Sequence, residues 1–186
     1  TFSIPGIDLM ENSGAATFRA MRECWPRTHH IAVLCGAGNN AGDVFVIARL
    51  AQQSGMDVQL VSLIDPEKLT GDAHTAYQDW KSLGQQLVEF SAELLQRNHV
   101  VIDALLGTGL QRDVTGDWFN VVEAINASDL PVIAVDVPSG LDADTGAVRG
   151  IAIKARSTVT FIARKKGLYT HKAVDHCGQL LFDDLA

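Results

Sequence analysis

Short runs of consecutive apolar residues recur along the chain, and between them lie longer stretches whose apolar positions return every three or four residues. The runs fall at residues 30–36 (HIAVLCG), 57–63 (DVQLVSL), 99–107 (HVVIDALLG), 131–138 (PVIAVDVP) and 157–163 (STVTFIA). Their length and β-branched content predict strands, and their continuity, in place of strict alternation, predicts a sheet covered on both faces. The intervening stretches at 9–25, 43–54, 70–83, 92–97 and 117–127 predict helices. Met10, Gly14, Phe18, Met21 and Trp25 form one apolar stripe on the first of them, a core-facing pattern. Strand and helix alternate, so the expected class is α/β: a three-layer α/β/α sandwich with a mostly parallel central sheet. A final short run, 178–184 (GQLLFDD), suits an edge strand. With no internal repeat, low-complexity segment or Pro/Gly/Ser linker, residues 1–186 read as one domain.

Composition narrows the function without naming it. At 186 residues the chain can bury about 70% of its unfolded surface. No apolar run approaches the roughly 18 residues that span a bilayer, so a membrane role is not expected. The net charge of -7 argues against a nucleic-acid surface, which needs clustered Lys and Arg. The one dense basic run, Arg164, Lys165 and Lys166, reads as a solvated loop or as a seat for a single anionic ligand. Three cysteines without C-x-x-C spacing suit a reducing, cytoplasmic setting more than a disulfide framework or a zinc site.

Ligands of an open parallel sheet bind beyond the carboxyl ends of its strands. Three segments follow strands there: GAGNNAGD at 36–43, DALLGTGLQRDVTG at 103–116 and DVPSGLDADTG at 136–146. The first is a glycine-rich turn leading into a helix, whose free N–H groups suit a phosphate. It does not meet the G-x-G-x-x-G dinucleotide pattern, and no acidic residue closes the second strand, which disfavours dehydrogenase chemistry and a generic nucleotide-binding transferase. Asp103 and Asp136 both end strands on the rim that carries Asn40. The hard oxygen donors of Asn40, Asp103 and Ser139 suit a hard cation, or else plain loop hydrogen bonding. Asp43, directly after the turn, is expected as a helix N-cap or a ligand contact. No histidine pairs with a nucleophile, and Ser139 lacks the G-x-S-x-G setting, so hydrolase chemistry fits poorly.

Laid side by side, LMENSGAA, GAGNNAGDVFVIARLA, VIDALLGTGLQRDVTGDW, VIAVDVPSGLDADTG and KKGLYT resemble, in order and spacing, the YjeF N-terminal family of NAD(P)H-hydrate epimerases. The resemblance spans nearly the whole chain and implies a Rossmann-like fold. It implies that hydrated NADH or NADPH lies against Asn39, Asn40, Ala41, Gly42 and Asp43, against Gly107, Thr108, Gly109, Leu110, Gln111, Arg112 and Asp113, and against Asp136. It also implies a potassium ion at Asn40, Asp103 and Ser139, a homodimer, and a dehydratase domain fused behind this one in many bacteria. A further helix is expected ahead of residue 1. Ala41 and Val44 stand where the family commonly has glycine, which is expected to bring side chains near the phosphate-binding turn.

The reaction so implied interconverts the R and S forms at the hydrated ring carbon, a carbinolamine, by breaking and remaking one bond without redox change. Asp136 is the expected catalytic acid/base, because a carboxylate partly desolvated at a strand end suits proton transfer near the working pH. Asp103 is expected as an ion ligand. The alternative is a catalytically silent binding or scaffold domain of the same family, since a fold alone does not carry an activity.

Overall fold

The computed structural model of the chain describes residues 4–185, except for the side chain of Asn39. Six strands form one sheet in the order β2-β1-β3-β4-β5-β6: β1 (His30–Cys35), β2 (Asp57–Ser62), β3 (Val100–Ala104), β4 (Val132–Val135), β5 (Ser157–Phe161) and β6 (Gln179–Asp183). Every pairing is parallel, with Val33 opposite Leu60 and Ile102, and Ile102 opposite Ile133. The expected edge strand is β6, and it too runs parallel.

The period-two direction of side chains sorts each strand between two cores. Ile31, Val33 and Cys35 of β1 face the core built with α1 (Gly6–Cys24), α2 (Asn39–Gln53) and α3 (Gly71–Ser82). Ala32 and Leu34 face the opposite core, filled by Leu94 and Leu95 of α4 (Ala92–Arg97) and by Val121, Val122 and Ile125 of α5 (Gly116–Ala127). These are the two outer layers. Phe45 of α2 joins Tyr77 and Trp80 of α3 through ring contacts at centroid distances of 5.1 and 5.6 Å.

Sequence and structure part company at two element ends. The apolar run at 99–107 suggests a long strand, yet β3 stops at Ala104; Leu105 turns into the α4–α5 core and stays fully buried. The helix expected from residue 43 begins at Asn39, with Gly38 as its N-cap at φ 80° and ψ -161°, a conformation that glycine adopts without strain. Half of the predicted glycine turn is therefore helix, and Asp43 lies one turn inside it. The N-cap reading of Asp43 is corrected accordingly.

β1 crosses to β2 through one helical layer, whereas the chain reaches β4 from β3 through the other. The crossovers diverge between β1 and β3, and that is where an open α/β sheet leaves a crevice.

Candidate functional site

A cleft of about 1000 Å³ opens at this switch point. One wall is the start of α2, with Gly38, Asn40 and Asp43, backed by Leu9, Met10 and Ser13 of α1. The second is the loop from Leu106 to Arg112, and the third is formed by Asp136 and Lys165 beyond β4 and β5. The N-terminus of α2 sits beside the cleft with the positive end of its dipole toward it, a setting that favours an anion.

Of the residues proposed from sequence, Asn40, Asp43, Gly107 to Arg112 and Asp136 line this cleft. Asp113 is exposed and lies outside it. Asn39 belongs to the first turn of α2, and its side chain lies outside the described residues. Ala41 and Gly42 line no part of the cleft: Ala41 is fully buried, and Gly42 is the point at which Met10 and Ala73 press against α2. Val44 is fully buried as well, so the side chains at 41 and 44 enter the α1–α2–α3 core and leave the phosphate-binding turn open. The expectation that they approach it is corrected. Their positions on the inner face of α2 follow from the helix starting at Asn39.

Two of the carboxylates lining the cleft, Asp136 and Asp43, lie in different surroundings. Asp136 has φ 68°, a left-handed conformation that Asp and Asn tolerate better than other non-glycine residues. That turn aims its carboxylate across the end of β5, where it accepts from Thr160 Oγ1 (3.2 Å), the Phe161 amide (3.3 Å) and Lys165 Nζ. Lys165 also donates to the Phe161 carbonyl at 2.9 Å. Asp43 instead meets the hydroxyl of Ser13, which lies 3.0 Å from the Met10 carbonyl. Burial pushes the Asp43 carboxyl up to about 7, opposed by its bond to Ser13 and aided by the negative charge of Asp136. Gly14 permits this arrangement: a side chain there would strike Val46 and the Asp43 carbonyl and push α1 away from α2.

Beneath the cleft lies Asp103, fully buried. It accepts from Ser139 Oγ (2.5 Å), Ser139 N (2.8 Å) and Leu105 N (3.3 Å), none of them charged, and burial pushes its carboxyl up to about 6. Ser139 Oγ in turn accepts from the Leu106 amide at 2.8 Å. Gly140 fixes this turn at φ 91°, pressed against the Ile151 carbonyl so closely that no side chain fits. The Asn40 amide packs beside Gly107, the residue after Leu106, and its buried nitrogen has no hydrogen-bond partner. A half-turn of that amide presents its carbonyl oxygen in the same place. A buried carboxylate without counter-charge, a hydroxyl and an unpartnered amide together form a donor set that fits a hard monovalent cation.

The sequence does not mark Ser13 or Asp72 as cleft residues, and it offers Lys165 only as part of a basic run, not as the partner of Asp136. Ser13 lies within a helix read only for its apolar stripe. Lys165 belongs to the basic run, but its pairing with Asp136 depends on the turn after β5, which periodicity does not describe.

Residues 6–167 match the family described as YjeF-related protein N-terminus. A bifunctional NAD(P)H-hydrate repair enzyme Nnr from Coxiella burnetii is 42% identical over 98% of the chain, which spans 37% of that protein. An NAD(P)H-hydrate epimerase from Levilactobacillus brevis is 38% identical over 98% of the chain and 84% of its own length. The crystal structure of yeast ynu0 superposes with a TM-score of 0.81, at 20% identity, over 97% of this chain and 79% of that one, a likeness of fold.

Proposed function

The chain belongs to the family of YjeF-related protein N-termini, and from that premise we propose that it is an NAD(P)H-hydrate epimerase, interconverting the R and S forms of hydrated NADH or NADPH. The observation that carries this reading is the cleft itself: a helix N-terminus for a phosphate and two carboxylates of unlike environment share one crevice at the sheet's switch point. The 38% identity to a protein named for this activity, over most of both chains, supports it.

On this reading the α2 terminus and the loop Gly107–Arg112 hold the nucleotide, with the hydrated ring toward Asp136. Asp136 moves the proton that bond breaking at the carbinolamine requires, a contribution that typically amounts to ~10²–10⁴-fold. Its backbone is fixed by the left-handed turn, and its carboxylate by Thr160, Phe161 and Lys165, so little reorganisation precedes the transfer. A potassium ion at Asn40, Asp103 and Ser139 belongs to the same proposal. It would supply positive charge beneath the cleft and brace the loops that carry Gly107 and Ser139. A homodimer is a further part of the proposal, open to light scattering. The Coxiella relative is named as bifunctional and this chain spans 37% of it, which supports a second, fused domain of the kind the family resemblance implies.

Epimer-resolved chromatography tests the activity. One pure epimer of NADHX, incubated with the protein, should approach the equilibrium mixture faster than the same solution without it, after subtraction of spontaneous scrambling. Equal rates would leave the family fold without this activity.

A further inference from the structure

The cleft holds a second carboxyl, Asp43, whose side-chain partner is a neutral hydroxyl and which, among the described residues, has no counter-charge beside it. Ser13 is buried, and its hydroxyl meets a carboxyl oxygen of Asp43 and lies 3.0 Å from the Met10 carbonyl, which already accepts in the ladder of α1. A hydroxyl has one proton to give. Donated to Asp43, that proton gives the carboxyl a neutral partner only, and among the described residues no cation beside it balances the charge its ionised form would carry. The charges around Asp43 point the same way. Asp72 of α3 and Asp136 share the cleft with it, and Lys165, the cation of the third wall, is engaged by Asp136 and the Phe161 carbonyl. The remaining cation of the cleft, Arg112, is on the opposite loop and exposed. Among the described residues no Lys, Arg or His forms an ion pair with Asp43.

We propose that Asp43 is a second catalytic residue of this site, a neutral acid held by Ser13 that works with salt-bridged Asp136 as an acid/base pair acting from two walls of the cleft. The inference rests on the epimerase reading and assigns the half of the proton traffic that Asp136 alone leaves open. In one direction Asp43 gives its proton to the hydroxyl of the hydrated carbon. The C–O bond pair leaves with oxygen as water, and the ring-nitrogen lone pair forms the C=N bond of an iminium. Water then adds to the other face, its oxygen forms the new C–O bond, its proton passes to Asp136, and the C=N pair returns to nitrogen. If the C–N bond breaks instead, the Asp43 proton goes to nitrogen and the hydroxyl proton to Asp136, so the same two groups serve. The reverse epimerisation exchanges their roles, as an enzyme working in both directions requires. Burial of Asp43, which raises its carboxyl to about 7, keeps a large share of it protonated at neutral pH. Separating the environments of two carboxyls in one site is a general way to assign acid and base.

Carbon-13 NMR of aspartate-labelled protein reads the protonation state without substrate. One side-chain carboxyl should titrate near pH 7, vanish in Asp43→Asn, and move to higher pH in Ser13→Ala, where a bond that favours the ionised form is lost. An Asp43 signal titrating near 4 overturns the proposal. With substrate, epimerisation by the wild type should decline as pH rises through about 7, because the acid is then spent. Asp43→Asn should lose ~10²-fold in kcat, keep KM within several-fold and show no such decline. If Asp43→Asn melts too low to assay, Ser13→Ala supplies the check: its decline should shift to higher pH together with its NMR titration. Full activity in a folded Asp43→Asn variant overturns the role of Asp43 and leaves the epimerase reading standing, whereas a wild type that does not epimerise overturns both.

Discussion

Lys165 pairs with Asp136 across the ends of β4 and β5, each side chain about one-fifth exposed, and the same ammonium holds the Phe161 carbonyl. The contact gives the strand-end carboxylate a fixed counter-charge and ties the loop after β5 to the cleft. Lys165→Met should cost about 1–2 kcal/mol of stability, since a partly buried charge loses its partner. Epimerisation should fall at least roughly tenfold, and Lys165→Arg should restore part of it. Thermal melting and the epimer assay measure the two effects. A methionine variant matching the wild type in both would show the pair to be an incidental surface contact.

The sheet, its two covered faces and the rim carrying the candidate residues were legible in the sequence, because continuous β-branched runs leave little freedom in a parallel α/β fold. Asp103 and Asp136 were legible as strand-end carboxylates for the same reason. Their partners were not. Ser13 reaches Asp43 only because Gly14 lets α1 lie against α2, and Lys165 reaches Asp136 only because Asp136 takes φ 68°. Both contacts span 29 or more positions of sequence and depend on side-chain direction, which apolar periodicity does not encode. The inward turn of Ala41 and Val44 was not legible, because a glycine-rich segment reads as turn and hides the first helical turn that fixes which face of α2 these two residues occupy.

Stability should vary with pH through Asp43. Its folded-state carboxyl lies above the ordinary value of 3.8, at about 7, so the native state holds a proton that the unfolded chain releases. That preference stabilises the fold fully below about 4 and is lost as pH rises to about 7. The melting temperature of the wild type should therefore decline across this window more than that of Asp43→Asn, which has no proton to lose there. Parallel curves for the two proteins would remove Asp43 as the source.

A potassium ion at Asn40, Asp103 and Ser139 should raise the melting temperature, because binding to the native state alone adds stability by mass action. Sodium of equal ionic strength controls for screening, which affects surface pairs and not this buried set. Asp103→Asn should weaken or abolish the potassium-specific increment, whatever its effect on the baseline. Gly140→Ala should do the same at a further cost of about 2 kcal/mol or more, since φ 91° and the adjacent Ile151 carbonyl leave no room for a methyl group beside Ser139. An equal potassium response in the wild type and Asp103→Asn would rule out this ion site.

Asp136→Asn isolates proton transfer from binding better than any other change in the cleft. Asparagine tolerates the left-handed backbone at φ 68°, so the turn before Ser139 should persist. Its side-chain oxygen can still accept from Thr160 Oγ1, the Phe161 amide and Lys165, and the shape of the wall is kept. What is lost is the ability to take and return a proton and the charge that Lys165 faces. We expect kcat to drop by at least ~10²-fold, with nucleotide affinity within several-fold of the wild type, the signature of a group needed in the transition state more than in the ground state. Affinity measured by calorimetry and rate by epimer-resolved chromatography separate the two quantities. If Asp136 serves only to tie the strand end, stability and affinity should fall together while the rate per bound complex stays unchanged. Retention of full activity would remove Asp136 from the proton path and leave Asp43 or a bound water to carry it.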